Sequence, residues 1–257
     1  MNVIVLAGEK KGSRAINIDD ASTGKETNEI TNKAFLLIKN KYMIEYVIDT
    51  LKQCKSIDKI AVVGPKEKLT EVLGNRVDYI AEGNDSIVDN ALSALQYFMS
   101  DKEVLIITSD IPMITVEAIE DFIEKSRKKE ADLCYSIVDK KVNDEKYPEV
   151  HRTYARLWEG QFTGGNVFYF NPAVTDKCKD FVEKMLEYRK SPAKMAGVLG
   201  FIFLIKLALG ILTINAIQKK CEKLLRIKGA AIISPYPEIG NDVDKLSDVK
   251  FVEKYLN

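Results

Sequence analysis

The chain has 257 residues, of which 46% are hydrophobic, which suits one large domain or one domain with an appendage. Its 38 basic residues equal its 38 acidic ones, and this balance excludes a chain-wide basic surface of the kind that binds nucleic acid. The four cysteines lie far apart without a C-x-x-C pair, which disfavours zinc and disulfide frameworks. With no signal-peptide pattern either, we expect a reducing, cytoplasmic location.

Strand-like and helix-like segments alternate through the first 138 residues. Short apolar runs predict buried strands at 3–7, 60–63, 77–81, 104–108 and 133–138. Between them apolar residues recur at helical spacing, and Thr115 is well placed to cap the helix that follows it. The run VLIIT at 104–108 is the most apolar, which predicts a central strand. Alternation of this kind predicts an α/β fold with a mainly parallel sheet and helices on both faces.

The alternation changes after residue 138. Two strands are predicted at 154–158 and 166–170, separated by Gly160 and by the pair Gly164-Gly165. Three helical stretches follow, then a strand at 231–233, a turn and a last helix after Ser247.

Residues 195–217, MAGVLGFIFLIKLALGILTINAI, are long enough to span a bilayer. Lys206 lies at the centre and three glycines interrupt the run, so we expect a core or groove-lining helix and no transmembrane span. Contact with a membrane surface and a true span remain the alternatives. Because apolar residues lie nearly all around this helix, we expect protein to cover it, and a homodimer interface is one arrangement that would do so.

Ligands of such sheets bind outside the carboxyl ends of the strands. The first strand is followed by Gly8 and then by Gly12, Ser13 and Arg14, within a long polar stretch that ends at Lys33. Glycines allow backbone N–H groups to approach phosphate oxygens, and Arg14 and Lys33 would neutralise the negative charge of the phosphates.

Three other predicted loops carry candidate residues. EGNDSIVDNAL follows the third strand, SDIPMIT follows the central strand with Asp110, and GNDVDKLSDV near the end carries Asp242 and Asp244. Taken singly, each has an ordinary interpretation as a turn glycine or a helix cap, and the absence of G-x-G-x-x-G disfavours a Rossmann dinucleotide site. Their joint placement favours one shared functional site.

These motifs resemble those of the nucleotidyltransferase family with a glycosyltransferase-A-like fold, which includes molybdenum-cofactor nucleotidyltransferases, methylerythritol-phosphate cytidylyltransferase and sugar-1-phosphate nucleotidyltransferases. LAGEKKGSR matches the family's L-A-G-G-x-G-x-R pattern at Leu6, Ala7, Gly8, Gly12 and Arg14. It departs from that pattern at Glu9 and by one added residue. NKAFLLIKNKYMIEYVIDTL is similar to the segment with the phosphate-binding lysine, here Lys33. SDIPMIT resembles the metal-binding D-x-P segment, and DVDKLSDV resembles the D-x-D-T-P-E-D-L ending.

The resemblance covers nearly the whole chain and implies both a fold and a reaction. The fold is a Rossmann-like three-layer sandwich with a helical C-terminal portion, forming a single domain over 1–257. Residues 1–138 would bind the nucleotide, and residues 139–257, with a helical segment at 176–226, would face the acceptor. The reaction would move a nucleoside monophosphate from a nucleoside triphosphate to a phosphorylated or hydroxyl small-molecule acceptor, releasing pyrophosphate.

The resemblance also assigns roles to residues. Arg14, Lys33 and Asp110 would be catalytic, and Asp110 and Asp244 would hold Mg²⁺, with Asp242 outside the metal site. The nucleotide would contact Leu6, Ala7, Gly8, Gly12, Ser13, Gly83, Asn84 and Ser86. The acceptor would contact Arg152, Gly164, Gly165 and Asn166. We expect the loop at 9–32 to order on the triphosphate, and the only histidine, His151, to be structural or on the acceptor side.

Three alternatives remain at this point. A glycosyltransferase on the same scaffold would use similar acids but would release no pyrophosphate. A non-catalytic nucleotide-sensing protein, which Glu9 makes plausible, would bind a triphosphate without turnover. A membrane-associated partner protein would use residues 195–217 and partition with membranes.

Overall fold

A central sheet covered by helices on both faces organises the residues that the computed structural model describes, 1–8, 32–84, 86–188 and 191–256. The strands are β1 (Asn2–Leu6), β2 (Leu37–Ile38), β3 (Lys41–Tyr42), β4 (Ile60–Gly64), β5 (Tyr79–Glu82), β6 (Val104–Thr108), β7 (Leu133–Asp139), β8 (Ala155–Leu157), β9 (Gly160–Phe170) and β10 (Gly229–Ser234). The order across the sheet is β10-β7-β9-β6-β1-β4-β5, with β8 paired to β9 and a separate β2–β3 pair.

Helices connect most of these strands. They are α1 (Met43–Gln53), α2 (Lys66–Leu73), α3 (Ile87–Leu95), α4 (Val116–Lys129), α5 (Lys140–Lys146), α6 (Thr175–Tyr188), α7 (Pro192–Leu199), α8 (Phe201–Ala208), α9 (Ile214–Leu225) and α10 (Leu246–Tyr255). The cap predicted at Thr115 is present, because its hydroxyl accepts a hydrogen bond from the backbone N–H of Ala118.

The core lies on both faces of the sheet because successive side chains of a strand point to opposite faces. Val3 and Val5 of β1 pack in a cluster with buried residues of α1, α2 and α4. Ile4, between them, packs in a second cluster with buried residues of α3, α6 and α9. The predicted three-layer arrangement is therefore confirmed.

The sheet is mainly parallel, as predicted. β1 pairs in parallel with β4 and with β6, β4 pairs in parallel with β5, and β10 with β7. β9 runs antiparallel between β6 and β7. β6, with the sequence VLIIT, occupies the middle of the order, as its apolar composition predicts.

Several predicted strands differ from the structure in their bounds, most of them by one or two residues. The third strand, predicted at 77–81, is β5 at Tyr79–Glu82. The segment predicted to be broken by glycines before residue 166 is instead one long strand, β9, which runs through Gly160, Gly164 and Gly165. Gly165 fits inside this strand because the β7 backbone and side chains lie very close, so that an added Cβ would be 2.2 Å from the Ser136 hydroxyl oxygen.

The prediction of one continuous helix at 195–217 is wrong, and cover of this segment by a second copy of the chain stays a prediction. The segment forms α7, α8 and the start of α9, separated at Gly200 and Gly210, whose φ angles of 91° and 69° lie in the region that favours glycine. Phe201 and Ile202 are each 71% exposed, so the chain does not cover the outer face of α8. Among the described residues, every helix is too short or too polar to cross a membrane.

Close packing of backbone at the strand ends makes Gly64 sensitive to substitution. A Cβ at Gly64 would lie 2.6 Å from the Ala7 carbonyl oxygen, and neither backbone segment has a flexible group that could move away. We expect Gly64→Ala to lower the free energy of unfolding by about 1–3 kcal/mol, measured by urea denaturation.

Gly197→Ala is the matched control for this stability prediction. Gly197 lies inside α7, where an added Cβ meets no atom within 4 Å. Alanine is the better helix former, so this change should raise stability by up to about 1 kcal/mol. Equal effects of the two substitutions would contradict the packing argument.

Candidate active site

The carboxyl ends of the parallel strands meet at one edge of the sheet, where backbone segments approach each other closely. The N–H of Gly83 donates to the carbonyl oxygen of Gly64 over 2.8 Å. A Cβ at Gly8 would lie 2.2 Å from Nδ2 of Asn90, so this position accepts only glycine without a shift. The residues that follow β1, β4 and β5 therefore form one continuous backbone surface.

Two buried asparagines tie these strand ends to neighbouring segments. Asn32 donates from Nδ2 to the carbonyl oxygen of Ala7 over 2.8 Å, and its Oδ1 accepts from the N–H of Ala34. Asn90 of α3 donates from Nδ2 to the carbonyl oxygen of Asn84 over 2.9 Å, and its Oδ1 accepts from the N–H of the same residue. These side-chain amides therefore satisfy backbone groups of Ala7 and Asn84 at the strand ends.

Asp110 lies two residues beyond β6, in a loop that backbone hydrogen bonds hold on both sides. The N–H of Ser109 donates to the carbonyl oxygen of Leu6 over 3.0 Å. The N–H of Val243 donates to the carbonyl oxygen of Asp110 over 2.8 Å. This second bond carries the segment before α10 back over the end of β6, and it brings residues distant in sequence to the same place.

Three carboxylates converge at this point. One oxygen from each of Asp110, Asp242 and Asp244 lies within 4.8 Å of the other two. Asp242 and Asp244 flank the fully buried Val243, so in an extended segment their side chains lie on the same side. The structure thus brings together the two acids that the sequence analysis assigns to a metal and adds Asp242, which it had left outside.

The environment of Asp110 opposes its ionisation. Burial raises the pKa of Asp110 to about 6, a hydrogen bond from the Thr108 hydroxyl works in the opposite direction, and the neighbouring carboxylates add to the increase. Part of the Asp110 population is therefore protonated slightly below neutral pH in the absence of a cation.

Two cationic side chains neutralise the other two acids. Burial opposes ionisation of Asp244, but Lys33, which donates to its carboxylate, holds the pKa of Asp244 below its usual value. Arg152 pairs with Asp242, yet burial still raises the pKa of Asp242. Lys33 is thus placed at the acid cluster, as the sequence analysis requires of a residue that would neutralise phosphate.

The donor set of this cluster fits Mg²⁺. Hard divalent cations prefer carboxylate oxygens, and a magnesium ion usually takes one or two carboxylates together with water and phosphate oxygens. Three acids face two cationic partners here, Lys33 and Arg152. Burial is the main cause of the raised Asp110 pKa, and a divalent cation held by Asp110 and Asp244 would relieve the smaller contribution from repulsion among the carboxylates.

A cavity of about 670 Å³ opens beside the acid cluster on the side of α10. Asp242 and Asp244 form part of its wall, with Arg152 and His151 from the segment before β8. Asn241 also lines it, and although this residue is 97% buried, its side-chain amide has no hydrogen-bond partner among the described residues.

The remaining predicted residues are placed as follows. Leu6 ends β1, Ala7 is buried and Gly8 is exposed at the strand end. Gly83 packs on Gly64, and Ser86 caps α3 by accepting from the N–H of Asp89. Their contacts with a nucleotide stay a prediction. Gly12, Ser13, Arg14 and the rest of the loop at 9–31 lie outside the described residues.

Among the predicted acceptor residues, Arg152 lines the cavity directly. Gly164 lies one position after Thr163, which also lines it, and packs against the Tyr135 hydroxyl. Asn166 donates from Nδ2 to the carbonyl oxygen of Ile239 over 3.5 Å. Gly164 and Gly165 pack closely against β7, and Asn166 bonds to the segment at Ile239. A contact of these three residues with the acceptor stays a prediction.

Sequence reasoning missed several residues of this site. The i, i+2 spacing of Asp242 and Asp244 around an apolar residue is a signal that could have placed both acids together. Asn32, Asn90 and Asn241 stand in loops or helices rich in polar residues, and nothing in the sequence separates them from ordinary surface amides.

Comparison with known proteins shows the family of this chain. The model of the MobA-like NTP transferase domain matches residues 3–190, most of the chain. The chain belongs to the MobA-like NTP transferase family. The resemblance stated from the motifs is thereby confirmed, and the matched range contains all of β1 but its first residue, together with Lys33 and Asp110.

Relatives and solved structures place this NTP transferase among nucleotidyltransferases. A 2-C-methyl-D-erythritol 4-phosphate cytidylyltransferase of Clostridium botulinum is 31% identical over 123 residues, which cover 44% of this chain and 53% of the relative. The match thus spans about half the length of that relative. A structure described as a hypothetical transferase from Thermus thermophilus superposes with a TM-score of 0.82 at 29% identity, covering 96% of this chain and 98% of that one.

A further solved structure shows the fold alone. The 2-C-methyl-D-erythritol 4-phosphate cytidylyltransferase of Francisella tularensis superposes with a TM-score of 0.60 at 10% identity, and 99% of each chain is covered. The similarity in fold extends over nearly the whole chain.

Proposed function

We propose that this chain is a metal-dependent nucleotidyltransferase that moves a nucleoside monophosphate from a nucleoside triphosphate to a phosphorylated or hydroxyl acceptor, with release of pyrophosphate. The observation that carries the proposal is the convergence of Asp110, Asp242 and Asp244 beside Lys33 at the carboxyl edge of an NTP transferase sheet. Such a cluster suits phosphoryl chemistry, which depends on charge neutralisation and positioning more than on a general base.

In this proposal each part of the site has a defined task. An acceptor oxygen attacks the α-phosphorus, and the bond from this phosphorus to the bridging oxygen of pyrophosphate breaks. Asp110 and Asp244 would hold Mg²⁺, which would supply charge neutralisation at the phosphate oxygens. Lys33 adds a positive charge beside Asp244.

The cavity beside the acids is the proposed acceptor site. Its wall includes Lys245, just before α10, and Lys250 and Lys254 within this helix. Arg152, from the segment before β8, also lines it. Asn241, which lines the cavity, has a side-chain amide without a partner among the described residues, with one donor group and one acceptor oxygen. A small acceptor with an anionic group and hydroxyls would satisfy both features, because a buried amide without a partner is costly.

A thermal-shift screen with the four nucleoside triphosphates, each with and without Mg²⁺, tests binding. A triphosphate at about 100 times its dissociation constant should stabilise the protein by about 2.7 kcal/mol. For a chain of this size that corresponds to an increase in Tm of about 5–10 °C. We expect the increase to depend on Mg²⁺ and to be lost in Asp110→Asn. Equal shifts with and without Mg²⁺ would contradict metal dependence.

Pyrophosphate release with the stabilising triphosphate and a panel of sugar phosphates, polyol phosphates and alcohols tests the reaction. One acceptor should support stoichiometric release of pyrophosphate and formation of a nucleotidylated product. Stabilisation by a nucleotide sugar, with sugar transfer and no pyrophosphate, would instead identify a glycosyltransferase. Tight triphosphate binding without turnover on any acceptor would identify a nucleotide sensor.

A further inference from the structure

An exposed apolar surface lies on α8 and the adjoining turns. It consists of Trp158, Phe201, Ile202, Ile205, Leu209 and Ile211, which are 72%, 71%, 71%, 41%, 62% and 47% exposed. We refer to these six residues as the α8 patch. These six are nearly half of the large apolar residues that are exposed in the described part of the chain. A concentration of exposed apolar side chains on one surface indicates a contact site.

The α8 patch is held in place by its inner side. Phe203 and Leu207, on the opposite face of α8, pack in a cluster with Leu157, Phe162 and Leu212. The N–H of Trp158 donates to the carbonyl oxygen of Leu212 over 3.0 Å, which fixes the turn after β8 beside the end of α8. The outward apolar side chains are therefore presented by a packed element.

The segment around the patch is basic, although the whole chain is neutral. Residues 188–221 contain six lysines or arginines and no aspartate or glutamate. With 38 acids in 257 residues, 34 residues would carry about five at the chain's average. Lys206 and Lys220 line the same shallow groove as Phe201 and Ile202.

The acidic residues near the patch lie on neighbouring elements and have hydrogen-bond or ion-pair partners there. Glu159, next to Trp158, accepts a hydrogen bond from the N–H of Ile214 at the start of α9. Glu187 of α6 pairs with Lys194 over 3.2 Å. The patch therefore combines aromatic and aliphatic side chains with lysines, the combination found on helices that lie at the surface of a bilayer.

The charge favours a membrane over a second copy of the chain. In a twofold dimer the same surface meets itself, so the lysines of one copy would face those of the other. An anionic lipid surface is complementary to them instead. Tryptophan, which prefers the boundary between headgroups and acyl chains, is exposed at the edge of the patch.

We infer that the α8 patch docks this enzyme onto anionic bilayer surfaces, with Phe201 and Ile202 entering the headgroup region and Lys206 and Lys220 contacting lipid phosphates. The contact is peripheral, because α8 has eight residues and is about 12 Å long, far shorter than the hydrocarbon core. This inference is independent of the proposed reaction, since no residue of the patch belongs to the acid cluster.

Vesicle flotation of the full chain tests the inference. Vesicles of phosphatidylcholine alone are compared with vesicles of phosphatidylcholine and phosphatidylglycerol in equal amounts. We expect binding to the second kind only, weakened by added salt. Phe201→Ser combined with Ile202→Ser should lower the affinity by about tenfold. Met99→Ser, a change at a 51% exposed apolar residue outside the patch, should leave it unchanged.

The chain carries one tryptophan, Trp158, which reports directly from the patch. Its emission should shift to the blue on vesicle binding and be quenched by brominated acyl chains. Lys206→Glu with Lys220→Glu should abolish the preference for phosphatidylglycerol while leaving the Tm unchanged.

Three results would overturn the inference. The first is equal affinity for both kinds of vesicle. The second is vesicle binding with unchanged Trp158 emission, which would place the contact elsewhere. The third is no binding to either kind of vesicle. A dimer in light scattering that the Phe201→Ser, Ile202→Ser double variant dissociates would then identify the patch as a homodimer interface.

Discussion

Replacing Asp110 with asparagine is expected to lower kcat by about a thousandfold or more while leaving the protein folded. Asp110 is the acid that the backbone holds most firmly, since its segment is bonded to β1 on one side and to Val243 on the other. Asparagine keeps the shape but removes the negative charge that a divalent cation needs. Turnover is measured as pyrophosphate release with saturating substrates, and the fold by circular dichroism.

The same substitution should stabilise the metal-free protein near neutral pH. Burial raises the folded-state pKa of Asp110 to about 6 from 3.8. The ionised carboxylate therefore destabilises the folded state at pH values above about 6, and this cost disappears as the pH falls through that value towards 4. We expect Asp110→Asn to gain about 1–2 kcal/mol near pH 7.5, and much less near pH 4.5, in urea denaturation with chelator present.

Companion variants separate the cluster from a general charge effect. Asp244→Asn should cause nearly the same loss of turnover, and the double variant should add little, because both acids act through one cation. Asp242→Asn should cost less, since Arg152 already pairs with this carboxylate. Asp49→Asn, which removes a surface acid paired with Lys41 and Arg76, is the control and should keep full activity. Full activity of Asp110→Asn would contradict the metal-dependent mechanism itself.

Replacing Lys33 with methionine is expected to lower kcat by about a hundredfold. Lys33 donates to Asp244, so its ammonium lies at the acid cluster. Methionine keeps the length of the apolar stem and removes the charge that would stabilise the departing pyrophosphate. The pKa of Asp244 should rise in this variant, because Lys33 is the group that holds it low.

Lys41→Met is the matched control for Lys33→Met. Lys41 lies eight positions later and pairs with Asp49 over 3.0 Å on an exposed surface. Surface ion pairs contribute little, so activity should stay within about twofold of the wild type. Lys33→Arg, which keeps the charge but changes its geometry, should recover part of the loss. If Lys33→Met and Lys41→Met have the same kcat, Lys33 has no catalytic task.

Features that depend on local pattern could be predicted from the sequence. The apolar run VLIIT predicted β6 and its central position. The acid two residues after this strand made Asp110 a candidate site residue. The convergence of Asp110 with Asp244 required more, since 134 positions separate them. It came from the order of motifs in a known family, and the structure supplies the physical link as the Val243 to Asp110 backbone hydrogen bond.

Features that depend on packing between distant segments could not be predicted. Asn90 reaches the loop after β5 only because α3 lies against that strand end. The break of residues 195–217 at Gly200 and Gly210 depends on φ angles that an apolar run does not reveal. The length and composition of this segment predicted one helix covered by protein. In the structure only the inner face of α8 packs against β8 and its neighbours, and the outer face is exposed.

Anomalous diffraction from crystals grown with Mn²⁺ and a triphosphate carrying a methylene group between the α- and β-phosphorus tests the central claim most directly. Manganese replaces magnesium at oxygen ligands and reports its own position. We expect one anomalous peak about 2.2 Å from a carboxylate oxygen of Asp110 and from one of Asp244, shared with phosphate oxygens of the nucleotide. A bound triphosphate whose metal peak contacts neither acid would contradict the account.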